Sequence, residues 1–160
     1  MAKIDEIDKQ ILAFLHEDAF LSNKEMAQRL GMSATPIHER IKRMEKEGVI
    51  TGYRAMINPA KLGKTLTVFC DISLKEHAAE YLNQFEKDVM NLAEVQECYC
   101  VSGQSDLLLK IDVTDMDEYR EFILHKLASI KNIGNAQSHF VMNEVENEHF
   151  MPWISNSLTN

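Results

Sequence analysis

Ser22-Asn23-Lys24-Glu25-Met26-Ala27-Gln28-Arg29-Leu30-Gly31-Met32-Ser33-Ala34-Thr35-Pro36-Ile37-His38-Glu39-Arg40-Ile41 contains two helix starts separated by one helix stop. Ser22 stands three residues before Glu25. That is the spacing of a capping box, in which the hydroxyl and the carboxylate each take up a backbone N–H that a first turn leaves unpaired. Met26, Ala27 and Leu30 share one face of the helix so opened, and Gly31 supplies its C-terminal stop. Ser33 is placed to cap a following helix, and Pro36 is tolerated in its first turn because those N–H groups have no intrahelical acceptor. Ile37, Ile41 and Met44 give that helix its buried stripe, and Gly48 ends it. Two helices joined by a tight turn containing Gly make a helix-turn-helix. Upstream, Ile4, Ile7, Ile11, Leu12 and Leu15 recur at steps of three and four, so the spacing predicts a further amphipathic helix, with Asp5 and Asp8 favourable in its first turn.

The second helix of such a pair is the one that enters a DNA groove. At about 100° per residue, the face opposite Ile37, Ile41 and Met44 holds Thr35, Glu39, Lys42 and Lys46, flanked by Pro36, His38 and Arg43. Lys42, Arg43 and Lys46 suit phosphates, whereas Thr35, His38 and Glu39 suit base edges. Ser33 and the first-turn N–H groups suit a phosphate as well. Arg40 lies nearer the core and is expected to pair with a neighbouring Glu. On spacing alone, a three-helix packing unit with a solvated charged face is the alternative to a DNA reader.

The charge balance supports a division of labour. The net charge of −8 argues against a polyanionic partner until it is divided along the chain. Residues 1–64 carry 11 Lys and Arg against 9 Asp and Glu, a net of +2, and residues 65–160 carry 6 against 16, a net of −10. A nucleic acid would therefore meet the head and be repelled by the body. Asn58-Pro59-Ala60-Lys61-Leu62-Gly63 is a turn-rich linker, preceded by an extended run from Val49 to Ile57, and the domain boundary is placed there: 1–64 and 65–160.

In the body, Leu66, Val68, Cys70, Ile72 and Leu74 alternate with Thr67, Phe69, Asp71 and Ser73 as a strand. Ala78, Leu82, Phe85 and Val89 step as a helix. Val95 to Ser102 is extended, Gly103-Gln104-Ser105-Asp106 is a turn, and Leu107, Leu109, Ile111 and Val113 alternate as the next strand. Tyr119, Phe122, Ile123, Lys126, Leu127 and Ile130 mark a second helix, followed by Gly134 and a last strand from Gln137 to Val145. The order β-α-β-β-α-β is the ferredoxin-like split motif, so the fold class is α+β, a helix-turn-helix domain followed by a ferredoxin-like domain. Two helices would cover one sheet face. The other face, expected to hold Phe69, Tyr99, Val101, Phe140 and Met142, needs a cover that self-association supplies most simply.

Other chemistry is not encoded at recognisable spacing. Cys98-Tyr99-Cys100, with Cys70, lacks the turn-borne spacing of a zinc site and reads as small buried groups on strands. The six histidines show no metal-binding spacing, and no phosphate loop, dinucleotide fingerprint or nucleophile elbow occurs. No catalytic residues, metal or cofactor are expected. No apolar run approaches the ~18 residues of a membrane span, and the acidic start after Met1 does not resemble a secretory signal. An odd count of three cysteines fits a reducing, cytoplasmic setting. The apolar Met151-Pro152-Trp153-Ile154 is either a docking segment or a frayed end.

With these residues in place, the chain resembles the Lrp/AsnC (feast/famine) regulators. The resemblance rests on Ile4 to Leu12, Ser22 to Ala27, Gly31 to Ser33, Arg40 to Tyr53, and Val101 to Leu109 with its Gly-x-x-Asp turn. It implies a cytoplasmic, nucleoid-associated transcription regulator that binds double-stranded DNA through Ser33 to Lys46. It also implies a ferredoxin-like RAM domain that forms homodimers and assembles them into tetramers or octamers, with a small amino-acid effector bound between dimers. The effector positions that carry over are Gly103, Gln104, Ser105 and Asp106, with Met116 and His139. Gln104 and Ser105 stand where the family often has an aromatic, His139 where it often has Tyr, and Ala19-Phe20-Leu21 where it has a polar turn containing Arg. Backbone N–H groups of the turn could hold a carboxylate and Asp106 an ammonium; otherwise Asp106 stabilises the turn. A ligand-independent DNA-architectural protein and an amino-acid-binding ferredoxin-like enzyme are the rival functions.

Overall fold

The computed structural model describes residues 3–144, so Met151 to Ile154 and the expected strand end at Val145 lie outside the described residues. The described chain divides into two compact units, one running through Met56 and the other starting at Ile57.

The first unit is built from three helices, α1 (Glu6–Glu17), α2 (Asn23–Arg29) and α3 (Ala34–Lys46). Asp5 is the N-cap of α1 rather than a first-turn residue. Its carboxylate accepts from the Asp8 N–H at 2.9 Å, and the Asp8 carboxylate accepts from the Asp5 N–H at 3.0 Å. The expected capping box at Ser22 and Glu25 opens α2. Gly31 and Gly48, at φ +64° and +71°, follow the ends of α2 and α3. Ile11, Phe14, Met26, Ala27, Ile37, Ile41 and Met44 form the core, with Ile4, Ile7, Leu12 and Leu15 partly buried around it. Residues 49–57, expected to be extended, join no strand.

In the second unit a short 3-10 turn (Pro59–Leu62) precedes β1 (Leu66–Leu74), α4 (Ala79–Met90), β2 (Val95–Cys100), β3 (Leu107–Val113), α5 (Met116–Glu121) and β4 (Ile133–Phe140). Helix α5 continues as a π segment over Phe122–Lys126 and a 3-10 turn over Leu127–Ser129. The sheet is antiparallel in the order β2-β3-β1-β4. Val68, Cys70, Ile72 and Leu74 of β1 join Leu107, Leu109, Ile111 and Val113 of β3 against Phe85, Val89, Phe122 and Leu127. The period of two thus puts the apolar set on the face that the helices cover.

Two expectations are corrected. Strand β4 begins at Ile133, because Asn132 adopts a left-handed φ of +74° and turns the chain into the sheet before Gly134 is reached. Phe140 lies on the helix side, not the open side: it pairs directly with Val68, and its ring meets Tyr119 edge-on at 5.3 Å.

Candidate functional site

On α3 the buried stripe is Ile37, Ile41 and Met44, so the opposite side faces solvent. Ser33, Thr35, His38, Glu39, Lys42 and Lys46 are exposed, and Pro36 and Arg43 are half-buried. Ser33 is the N-cap but makes no side-chain cap hydrogen bond. The exposed Ser33 thus leaves the first turn of α3 without a side-chain cap. Asn23 Nδ2 lies 3.3 Å from His38 Nδ1, which ties α2 to the flank of the exposed face. Lys42 pairs with Glu45 at 2.8 Å. That Lys42 contact holds the Glu45 carboxyl below its usual range; at the surface such a pair exchanges readily for a phosphate.

The two arginines of α3 behave differently from the lysines. Arg40 pairs with Asp5 at 2.6 Å and Asp8 at 2.8 Å, not with a Glu. Arg43, expected at a phosphate, pairs with Asp8 at 2.5 Å. The periodicity of α1 marked Asp8 only as a favourable first-turn charge; a carboxylate inside an apolar stripe, one turn after Ile4, was the signal that it is buried.

In the second unit, Gly103 has φ +136°, in the region that favours glycine, and a side chain there would meet nothing within 4 Å. The turn it opens is tied to β1. The Asp106 N–H donates to the Ile72 carbonyl at 2.9 Å, and Asp106 Oδ2 accepts from the Leu74 N–H at 2.7 Å. His77 Nε2 lies 3.2 Å from the same carboxylate. Ser73 Oγ donates to the Gln104 carbonyl at 3.2 Å. Ser105 Oγ donates to Asp71 Oδ1 at 3.0 Å, and His139 Nε2 lies 2.9 Å from Asp71 Oδ2.

Asp71 thus joins Ser105 to His139 on the open sheet face. Its type alone does not mark it as a site residue, although strict alternation in β1 puts a carboxylate on the face opposite Val68, Cys70 and Ile72. Met116 is not brought to this cluster. It follows β3 where the turn precedes it, so the seven residues of Leu107–Val113 separate the two by roughly 20 Å. Met116 instead borders an apolar groove with Tyr119, Ile123, Leu124, Ser138 and Phe140. Burial holds the Tyr119 hydroxyl up at about 12, so it is protonated where it meets Ser138 Oγ at 2.5 Å.

No group of three or more potential metal ligands occurs among the described residues. No helix among them is long and apolar enough to cross a membrane.

Comparison with known proteins bears on both units. Residues 4–51 match the family described as winged helix-turn-helix DNA-binding. Residues 67–149 match the Lrp/AsnC ligand binding domain. The leucine-responsive regulatory proteins of Escherichia coli K12 and Klebsiella pneumoniae are each 41% identical over 143 residues, 89% of this chain and 87% of theirs. Among solved structures, a transcriptional regulator of Neisseria meningitidis in its L-Met complex superposes with a TM-score of 0.85 at 31% identity, covering 91% of this chain and 94% of that one. The structure of AsnC from E. coli gives 0.84 at 28%, covering 91% and 97%.

Proposed function

Because this chain belongs to the Lrp/AsnC family of transcription regulators, we propose that it reads operator DNA through α3 and adjusts that reading to a free amino acid. The observation that carries the proposal is the solvent side of α3. Ser33, Thr35, His38, Glu39, Lys42 and Lys46 are exposed together on a helix whose other side is the core. Lys42, Lys46 and the Ser33 end of the helix contact phosphates. Thr35, His38 and Glu39, beside Pro36, face base edges.

The effector reading rests on the turn at Gly103 to Asp106. Its backbone N–H groups hold the carboxylate of an amino acid, and Asp106, whose side chain is 28% exposed, faces the ammonium. Ser105 and His139, joined through Asp71, line the approach. Met116, at the far end of β3, reaches the ligand from another chain of the assembly. The L-Met bound by the Neisseria regulator supports a small amino acid as the ligand class. The open sheet face, with Phe69, Tyr99, Val101 and Leu108 among charged groups, is the homodimer surface, and dimers assemble further to tetramers or octamers. Residues 1–64 act as the DNA-binding domain and 65–160 as the effector-binding and assembly domain, in a nucleoid-associated regulator.

Selection of bound duplexes from a random pool, with and without an amino-acid mixture, tests this. The expected result is one enriched two-fold symmetric motif whose recovery changes when the mixture is present. Absence of any enriched motif would refute sequence reading by α3. Enrichment that amino acids leave untouched would return the protein to a ligand-independent architectural role.

A further inference from the structure

Helix α3 is fastened to the start of α1 by charge. Asp8 is completely buried. Its carboxylate accepts from Arg40 Nη1 at 2.8 Å, from Arg43 Nη2 at 2.5 Å and from the Asp5 N–H at 3.0 Å. Asp5 adds a second acceptor for Arg40 Nη1 at 2.6 Å. The backbone N–H of Asp8, and then Arg40, hold the Asp5 carboxyl below its ordinary value. One residue therefore closes the capping box of α1 and pairs with two guanidinium groups of α3, with Asp5 supplying the second negative charge. On the helical wheel, Arg40 and Arg43 stand between the buried stripe and the exposed reading face. Arg43 is drawn down far enough that its Nε is buried without an acceptor.

The lysines and Arg43 differ in what a departing cation leaves behind. Lys42 leaves Glu45 at the surface, where water replaces it. Arg43 would leave a fully buried carboxylate with one of its two counter-charges gone, which is strongly unfavourable.

We infer that Asp8 is a positioning residue for DNA reading: it fixes the rotation of α3 through Arg40 and Arg43, and it withholds Arg43 from the phosphates. Lys42 and Lys46 are then the cations that the reading face contributes. The inference rests on the proposal that α3 is the reader, and its test separates the two.

The test is the salt dependence of affinity for the selected duplex, together with the ratio of specific to random-sequence affinity, for the full chain and three variants. Helix content by circular dichroism verifies that each variant folds. Lys46→Gln should lower the slope of log affinity against log salt by about 1.8, one phosphate contact in each of two heads, and leave the ratio unchanged. Arg43→Gln should leave the slope unchanged and reduce the ratio roughly hundred-fold, the loss of about one well-placed base contact in each of two heads. Asp8→Asn should steepen the slope by about 1.8 as the Arg43 of each head becomes available, and reduce the ratio similarly. If Asp8→Asn does not fold, Arg43→Gln decides alone. An Arg43→Gln slope that falls as Lys46→Gln does would overturn the inference while leaving α3 the reader. A slope that neither Lys46→Gln nor Arg43→Gln changes, with an intact ratio, would overturn both.

Discussion

Asp106 carries two loads at once. Its carboxylate takes the Leu74 N–H at 2.7 Å and so pins the turn to the end of β1, while its charge is what an ammonium would meet. An amide at this position can still accept from Leu74, so Asp106→Asn should fold and bind DNA, with a slightly lowered melting temperature. The lost charge-assisted bond contributes about 1.5–3 kcal/mol, so effector affinity should fall roughly ten- to hundred-fold. Titration calorimetry with whichever amino acid shifts DNA binding checks this, and unchanged affinity would leave Asp106 with its structural duty alone. Gly103→Val should damage the same turn through backbone strain, since φ is +136° and a side chain would clash with nothing. At this scale the sequence was informative about residue type and less so about partners. The exposed set on α3 follows from helical period. That Arg43 answers to Asp8, or that Asp71 bridges Ser105 and His139, depends on contacts 35 and 34 or 68 positions apart along the chain, which periodicity does not encode.

At the scale of elements, the start of α2 was legible because its capping box is local chemistry, and that of α3 from the Gly31 stop before it, although Ser33 makes no side-chain cap bond. The start of β4 was not. The expected strand opened at Gln137, four residues after the observed start at Ile133; the turn into it is made by Asn132, one of the few side-chain-bearing residues that tolerate a left-handed backbone. Asn132 also accepts from the Glu76 N–H at 2.9 Å and donates to the Glu76 carbonyl at 2.8 Å. Asn132→Ala should therefore cost about 2–3 kcal/mol in urea unfolding, from strain plus two lost hydrogen bonds, and Asn132→Gly less. Gly134 has a different duty. A Cβ there would sit 3.1 Å from the Ser73 carbonyl oxygen, at the irregularity where β1 and β4 shift register.

Helix α5 supplies a pH test. Lys64, at 2.7 Å, and the Thr114 N–H hold the Glu118 carboxyl down at about 2. A carboxyl depressed in the folded state stabilises above its unfolded pKa, near 4.5, and that contribution disappears as pH falls toward 2. The melting-temperature gap between the natural protein and Glu118→Gln should be full at pH 6 and close progressively between about pH 4.5 and pH 2. A gap independent of pH would mean that the Lys64 contact does not set this carboxyl.

For the whole molecule, the decisive sequence feature is the split of charge, +2 on residues 1–64 against −10 on residues 65–160. A head so slightly basic gains little from counterion release alone, and the acidic body opposes it. In the proposed homodimer, tight binding comes from two heads engaging one duplex, joined through paired bodies. Linking two modest sites raises affinity by about 10²–10⁴ when the geometry lets both engage. The order and type of elements were legible because alternation and helical period are strong over the whole body. A partner for the open sheet face was legible only as a need, from apolar residues such as Phe69 and Tyr99 on it, since periodicity says that a face wants a cover and not what covers it.

The most direct measurement compares the full chain on two duplexes at one salt concentration, one carrying both selected half-sites and the other with one half-site scrambled. Paired reading by α3 predicts that the intact duplex binds at least about 100-fold more tightly, and that the effective amino acid shifts this ratio. Equal affinity for the two duplexes would contradict the account.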